Sequence, residues 1–259
     1  MALSLSKRKR PSREDKPLHE RAKIAGLVLD HATALLLAGF INKHVLKSVD
    51  YPISTGKEAV VFRATTPAGE FLAVKVFKFE TSSFVHMMDY VEGDRRFQYV
   101  SHRKRELVKA WSRKEYANLQ AAFREGAAVP RPVACRENIV IMEFLGEGGV
   151  AYALLKDVSL EDAAAAFEQC RAGLKAFFQA GLVHADLSPY NIIVGRGEDG
   201  GEKLFFIDVG QAVLLSHPRA REFLAKDCRN IAKFFVGQGV KADAGELLEE
   251  VLNSGAQST

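Results

Sequence analysis

One lysine constrains this chain more than any other residue. Lys75 stands inside the run FLAVKVFKF (71–79), an otherwise apolar strand pattern. An ammonium enclosed in such a strand needs an anionic partner. Either the strand is half-exposed and Lys75 points to solvent, or the fold brings carboxylate or phosphate oxygens to it. Glu115 is the candidate carboxylate. It lies in residues 109–125, whose spacing predicts a helix with Trp111, Leu119, Ala122 and Phe123 on one face.

The elements around that strand predict an α+β chain. VVFRA (60–64) and FLAVKVFKF flank TTPAGE, a Pro/Gly turn, and predict an antiparallel hairpin. IVIMEFLGEG (139–148) predicts a buried strand running into a glycine-containing connection. Ser159-Leu160-Glu161-Asp162 fits a capping box ahead of an apolar stripe of Phe167, Cys170, Leu174, Phe177 and Phe178, closed by Gly181. Residues 218–235 and 243–252 predict closing helices. Strands early and helices late predict two lobes with a cleft between them.

Residues 24–41, IAGLVLDHATALLLAGFI, are apolar enough to raise the question of a membrane. Asp30 and His31 in their middle favour an amphipathic helix packed on the body, and no membrane partner is expected. Cys135, Cys170 and Cys228 have neither disulfide-framework nor zinc spacing, which points to a reducing compartment. The opening MALSLSKRKRP lacks the apolar core of a secretory signal, so a cytoplasmic protein is expected.

Charge is unevenly placed. Residues 1–25 carry +5 and residues 95–114 carry +7 within a net +4, so the body is acidic. Two readings stand: solvated segments, or contact with a phosphate-rich partner such as RNA.

The chemistry-bearing motifs follow in order. Ile53-Ser54-Thr55-Gly56-Lys57-Glu58-Ala59-Val60-Val61 is not a Walker A loop, because Tyr51 and Glu58 stand where that motif needs Gly and Ser or Thr. It does fit the other phosphate loop, G-x-G-x-x-G-x-V, with Ser54 and Ala59 as small replacements for the outer glycines. His184-Ala185-Asp186-Leu187-Ser188-Pro189-Tyr190-Asn191 matches H-x-D-L-x-x-x-N. Asp186 can accept a hydrogen bond from an attacking hydroxyl or water, and Asn191 offers an oxygen to a hard metal. Asp208, in Ile207-Asp208-Val209-Gly210, would bridge metal and phosphates. Phosphoryl transfer needs these parts in combination, whereas each alone is explained by a turn.

With these motifs in place, the sequence resembles the RIO family of atypical serine/threonine kinases. The marks are STGKEA (54–59), YVEGDRRF (90–97), HADLSPYN (184–191), IDVGQA (207–212) and DCRNI (227–231). STGKEA and YVEGDRRF point to the first subfamily, and residues 1–48 show no winged-helix pattern. The resemblance implies a trimmed two-lobed kinase fold without an activation segment. Its parts would be a basic disordered tail (1–18), an N-terminal helical extension (19–48), an N-lobe (49–145) with a flexible insertion at about 80–108, and a C-lobe (146–259). It implies ATP with Mg²⁺ or Mn²⁺. Ile53, Ser54, Gly56, Lys57, Val61, Ala73, Lys75, Glu115, Met142, Glu143, Leu145, Ile193 and Ile207 would form the nucleotide site. Asp186 and Asp208 would be catalytic, Asn191 and Asp208 would hold the metal, and His184 and Asp227 would support the loop.

The family's biology further implies kinase and ATPase action in maturation of the small ribosomal subunit, with pre-ribosomal particles and their rRNA as partners. By the same resemblance Asp208 can itself accept the phosphoryl group, and autophosphorylation is expected, with Ser101 a candidate site. No A-P-E motif is visible after Asp208, so efficient phosphorylation of peptides is not expected. A small-molecule phosphotransferase of the aminoglycoside-kinase type shares the H-x-D-x-x-x-x-N loop, but only about 35 residues separate hinge and loop here. A non-catalytic ATP-binding assembly factor would not need all of Lys75, Glu115, Asp186, Asn191 and Asp208. The sequence assigns no oligomeric state.

Overall fold

The computed structural model describes residues 30–80, 84–91, 94–97 and 103–255. The expected basic tail, the start of the helical extension and Ser101 lie outside the described residues.

Five strands form one antiparallel sheet in the order β1-β2-β3-β5-β4: β1 Ser48–Thr55, β2 Ala59–Thr65, β3 Phe71–Phe77, β4 Pro132–Arg136 and β5 Ile139–Glu143. The β2–β3 hairpin closes as the Pro/Gly turn predicts, with Gly69 at φ 86 and its N–H donating to Thr66 O. Alternation gives the sheet two faces. Val60, Phe62, Val74, Val76, Ile139 and Ile141 pack against Leu37 and Phe40 of helix α1 (His31–Asn42). Ala73, Val140 and Met142, with Lys75 among them, face the main core and the cleft.

Asp30 caps α1, accepting the Thr33 N–H at 2.8 Å, so it ends the helix rather than interrupting it. Residues 24–29 of the apolar stretch lie outside the described residues. Among the described residues no helix is long and apolar enough to cross a membrane. The fully buried Asn138 ties α1 to the sheet, donating to Thr33 Oγ1 at 3.1 Å and Phe77 O at 2.9 Å.

The connection from β3 to the glutamate helix is more structured than its sequence suggests. Helix α2 (Phe84–Val91) and a 3₁₀ turn (Arg95–Phe97) lie within it, and helix α3 (Lys104–Arg124) starts at 104 instead of 109. The buried Leu107 and Val108 extend the apolar face by a turn and outweigh the basic start of the helix.

After the hinge (144–145) come the short hairpin β6–β7 (Gly146–Glu147, Val150–Ala151), strand β8 (Ala153–Leu154) and helix α4 (Ala163–Gln179). The strand pattern at 139–148 therefore breaks at Glu143. The cap of α4 is Asp162, which accepts the Ala165 N–H at 2.9 Å. Ser159, the cap that the S-x-x-D pattern predicts, lies outside the helix, whose first residue is Ala163. Gly181, at φ 75, ends it. Strand β9 (Leu182–Val183), the hairpin β10–β11 (Ile192–Arg196, Glu202–Phe206), β12 (Val213–Leu214) and helices α5 (Ala220–Gly237) and α6 (Ala244–Ser254) complete the helical lobe. Only residues 209–219 lie between Asp208 and α5.

α4 carries β11, the strand that delivers Asp208, through close contact at Gly173. A Cβ there would lie 2.2 Å from the Phe206 ring. Glycine to alanine in a helix interior normally stabilises by up to ~1 kcal/mol, but overpacking against a buried ring costs ~1–3 kcal/mol. Gly173→Ala should therefore lower the urea midpoint at an unchanged m-value. An equal or raised midpoint would contradict this packing.

Candidate active site

β3, α3 and the segment after β11 meet at one ammonium. Lys75 Nζ lies 2.7 Å from both Glu115 carboxylate oxygens and 2.9 Å from Asp208 Oδ1. Lys75 and Glu115 are buried, whereas the Asp208 side chain is 53% exposed to the cleft. Burial works against charge on Lys75, but the Asp208 and Glu115 carboxylates outweigh it and raise its pKa. Lys75 in turn holds Asp208 below the usual carboxylate range. Burial pushes Glu115 up to about 7 against the pull of Lys75. Asp208 takes up left-handed backbone, φ 62 and ψ 56. Gly210 fits because a Cβ there would crowd Trp111 Nε1 at 3.0 Å and Glu115 Oε2 at 3.2 Å.

The second half of the site is the loop between β9 and β10, suspended from α5. The buried Asp227 accepts N–H bonds from Ala185 and Leu187, both at 2.8 Å. Burial nevertheless pushes its carboxyl up to about 7. Asn230 donates to Leu187 O, and His184 Nε2 lies 3.2 Å from Ile207 O. Ala185 is left-handed at φ 68, just before Asp186. Asn191 Nδ2 donates to Asp186 O at 2.8 Å and Asp186 Oδ2 at 3.2 Å. The amide nitrogen is thus engaged by the loop, and Oδ1 is the atom left to serve a metal. Among the described residues no group of three or more His, Cys, Asp or Glu is placed to hold a metal. A donor set of one amide oxygen and one carboxylate suits a hard cation that completes its shell with water and phosphate.

The apolar residues expected around a nucleotide come from both lobes: β1, β2, β3 and β5 on one side, β10 and the residue after β11 on the other. Ala73 pairs across the sheet with Met142, and both are buried. Ile53, Val61, Ile193 and Ile207 are half-buried. Ser54, near the end of β1, and Gly56 and Lys57, in the β1–β2 turn, are exposed, and Gly56 N–H donates to Ala59 O. In the hinge, Glu143 N–H is bound by Arg131 O, and Leu145 O by Tyr152 N–H.

The structure adds contacts that the motifs do not reveal. Gln211 Nε2 reaches Asp186 Oδ2 at 3.3 Å, and Lys226 Nζ lies 3.6 Å from Asp186 Oδ1. Arg63 Nη1 and Tyr51 Oη both donate to Gly149 O, at 3.0 and 3.1 Å, joining the phosphate-loop strand to the hairpin after the hinge.

A family model for the RIO domain matches residues 60–247. The chain is 42% identical to the RIO-type serine/threonine-protein kinase Rio1 of Haloferax volcanii, over 90% of this chain and 78% of that protein. It is 35% identical to the Rio1 kinase of Thermoplasma acidophilum, over 74% of this chain and 98% of that one. The solved Rio2 kinase of Chaetomium thermophilum, described as an ADP/Mg²⁺-phosphoaspartate complex, superposes with a TM-score of 0.62. It shares 19% identity, over 92% of this chain and 84% of that chain.

Burial holds the His184 ring below its usual 6.5. The unfolded chain then takes up a proton there before the folded chain does. The stability that neutral His184 confers is complete above pH 6.5 and is lost as pH falls below it. The melting temperature should therefore fall on acidification, and His184→Gln should flatten that limb. An unchanged acid limb in the variant would show that His184 titrates alike in both states.

Proposed function

The chain belongs to the RIO family of atypical serine/threonine kinases, and from that premise we propose that it transfers and hydrolyses the γ-phosphoryl group of ATP during maturation of the small ribosomal subunit. The carrying observation is Lys75, held between Glu115 and Asp208 at the floor of the cleft. In this reading Lys75 binds the ATP phosphates while Glu115 fixes its position. Ile53, Val61 and Ala73 cover the adenine, Ile193 lies beneath it and Ile207 behind it. The Glu143 carbonyl and the Leu145 N–H read its edge beside Met142, because Arg131 and Tyr152 already engage the other backbone groups. The turn carrying Ser54, Gly56 and Lys57 closes over the phosphates.

A divalent cation held by Asn191 Oδ1 and Asp208 would neutralise charge on the phosphates and polarise phosphorus. Asp186 orients the attacking hydroxyl or water, and Gln211 and Lys226 steady its carboxylate. The Rio2 neighbour's description as a phosphoaspartate complex supports a second route. In it an Asp208 oxygen attacks the γ-phosphorus, the bond to ADP breaks, and water later cleaves the acyl phosphate. The small-molecule phosphotransferase reading has no support in the described C-lobe, where α4 is the one α-helix between hinge and catalytic loop.

Asp208→Asn should reduce turnover by ~10²-fold or more and abolish a hydroxylamine-sensitive phosphoenzyme formed from γ-labelled ATP. A phosphoenzyme of normal yield in that variant would overturn the Asp208 assignment.

The basic segment 95–114 is proposed to contact rRNA phosphates. Arg105 pairs with Asp30 at 2.7 Å and lies over the Phe79 ring, so reversing it would disturb the cap of α1; Arg103 and Lys104, exposed at the start of α3, are the probes. Reversing both to Glu should weaken RNA binding and reduce the slope of log K against log salt by about 2, with basal ATP hydrolysis near normal. Lost hydrolysis with intact RNA binding would show that the segment serves the nucleotide.

A further inference from the structure

Helix α3 presents two fully buried polar side chains, Lys114 and Asn118, one turn apart. Lys114 Nζ donates to Gly210 O at 2.8 Å and also to Ala212 O. Asn118 Nδ2 donates to Val209 O at 2.8 Å and Ala212 O at 2.9 Å. Three of the four carbonyls that follow Asp208 are therefore held by side chains of one helix. An enclosed ammonium is costly, and burial draws Lys114 down to about 7. Aliphatic side chains would fill the same space without that cost, so the polar choice calls for a reason.

The other side of this polar wall meets the insertion. Asp94 is fully buried and bound by Arg96, through Nε at 2.9 Å and Nη2 at 2.6 Å. Arg96 Nη2 also donates to Asn118 Oδ1 at 2.8 Å. The Asp94 carboxylate opposes the effect of burial on Lys114 through its charge. Beside them, Tyr90 of α2 meets Trp111 edge-on and stacks on Phe223 of α5, which seats the insertion against both lobes. Two consequences follow. Arg96 fixes which way the Asn118 amide faces, since a flipped amide would set its oxygen against two carbonyls. Asp94 supplies a negative charge that offsets part of the cost of enclosing Lys114, against the opposing charge of Arg96.

We propose that the Asp94–Arg96 turn is a positioning element for Asp208: docked on α3, it fixes Lys114 and Asn118, and these hold the backbone that keeps Asp208 left-handed and aimed into the cleft. The inference rests on the reading of Asp208 as a metal ligand. Left-handed backbone at a residue other than glycine is strained and persists only when its surroundings hold it. Four carbonyl bonds from Lys114 and Asn118 are that restraint.

The test uses the full chain with Mn²⁺ as probe, its binding in the presence of ADP followed by electron paramagnetic resonance, and metal-free ADP binding followed by calorimetry. Arg96→Gln and Asp94→Asn should each weaken Mn²⁺ binding about tenfold while metal-free ADP binding stays within about twofold. Arg96→Gln should add little in an Asn118→Ala background, because both changes act along one path. Wild-type Mn²⁺ affinity in both single variants, with Asp208→Asn losing the metal, would overturn the positioning role alone. An equal loss of metal-free ADP binding would also overturn it, by showing that the turn serves the nucleotide directly. Mn²⁺ affinity unchanged in Asp208→Asn would overturn the metal reading and the inference with it.

Discussion

A single buried ammonium fixes the relation of sheet, helix and cleft. Lys75, Glu115 and Asp208 come from three elements far apart in sequence, and their oxygens converge on Nζ within 2.9 Å. Losing one partner of a buried pair leaves an uncompensated charge and costs ~3–5 kcal/mol, so these elements are tied as a set. The tie also fixes strand register. Val61, Lys75 and Val140 lie side by side across three strands. A one-residue slip would turn Lys75 toward α1, into the apolar cluster of Leu37, Phe40, Phe62 and Ile141.

The helical lobe is organised around the opposite problem, that of holding a polar loop still. Asp227 and Asn230 on α5 take up the loop's backbone groups at 185 and 187, and His184 reaches the strand that ends before Asp208. With only residues 209–219 between Asp208 and α5, the segment that bears Asp208 and the loop's support are near neighbours in sequence. The sheet lobe has its own brace to the hinge hairpin, the two donors of Arg63 and Tyr51 on Gly149 O. The cleft is therefore bounded by a clamp on one side and a suspended loop on the other.

Much of this was legible because the physics is local or severe. Alternation placed β2 and β3, and a lysine in an apolar strand demanded an anion, which pointed to Glu115. The H-x-D-L-x-x-x-N and D-x-G spacings located Asp186, Asn191 and Asp208 in one cleft. What escaped had weak local signals. α2 is eight residues long, two turns, too short for a period to stand out. The capping pattern at Ser159 competed with Asp162 three residues on, and the structure uses the later carboxylate. Lys114 precedes Glu115 in a charged run that reads as solvated, yet it is fully buried. Gln211 and Lys226 reach Asp186 from other elements, and no spacing rule links them to it.

The left-handed backbone at Asp208 has a consequence for genetics. The site selects side chains twice, once for a carboxylate and once for tolerance of positive φ. Asparagine tolerates that conformation better than alanine, and β-branched residues tolerate it worst. An alanine at this position thus carries two lesions, a missing carboxylate and a misfit backbone, and its phenotype blends them. Asparagine isolates the charge and glycine isolates the side chain. The spectrum of alleles tolerated at 208 should follow backbone preference among inactive variants, a ranking that chemistry alone would not produce.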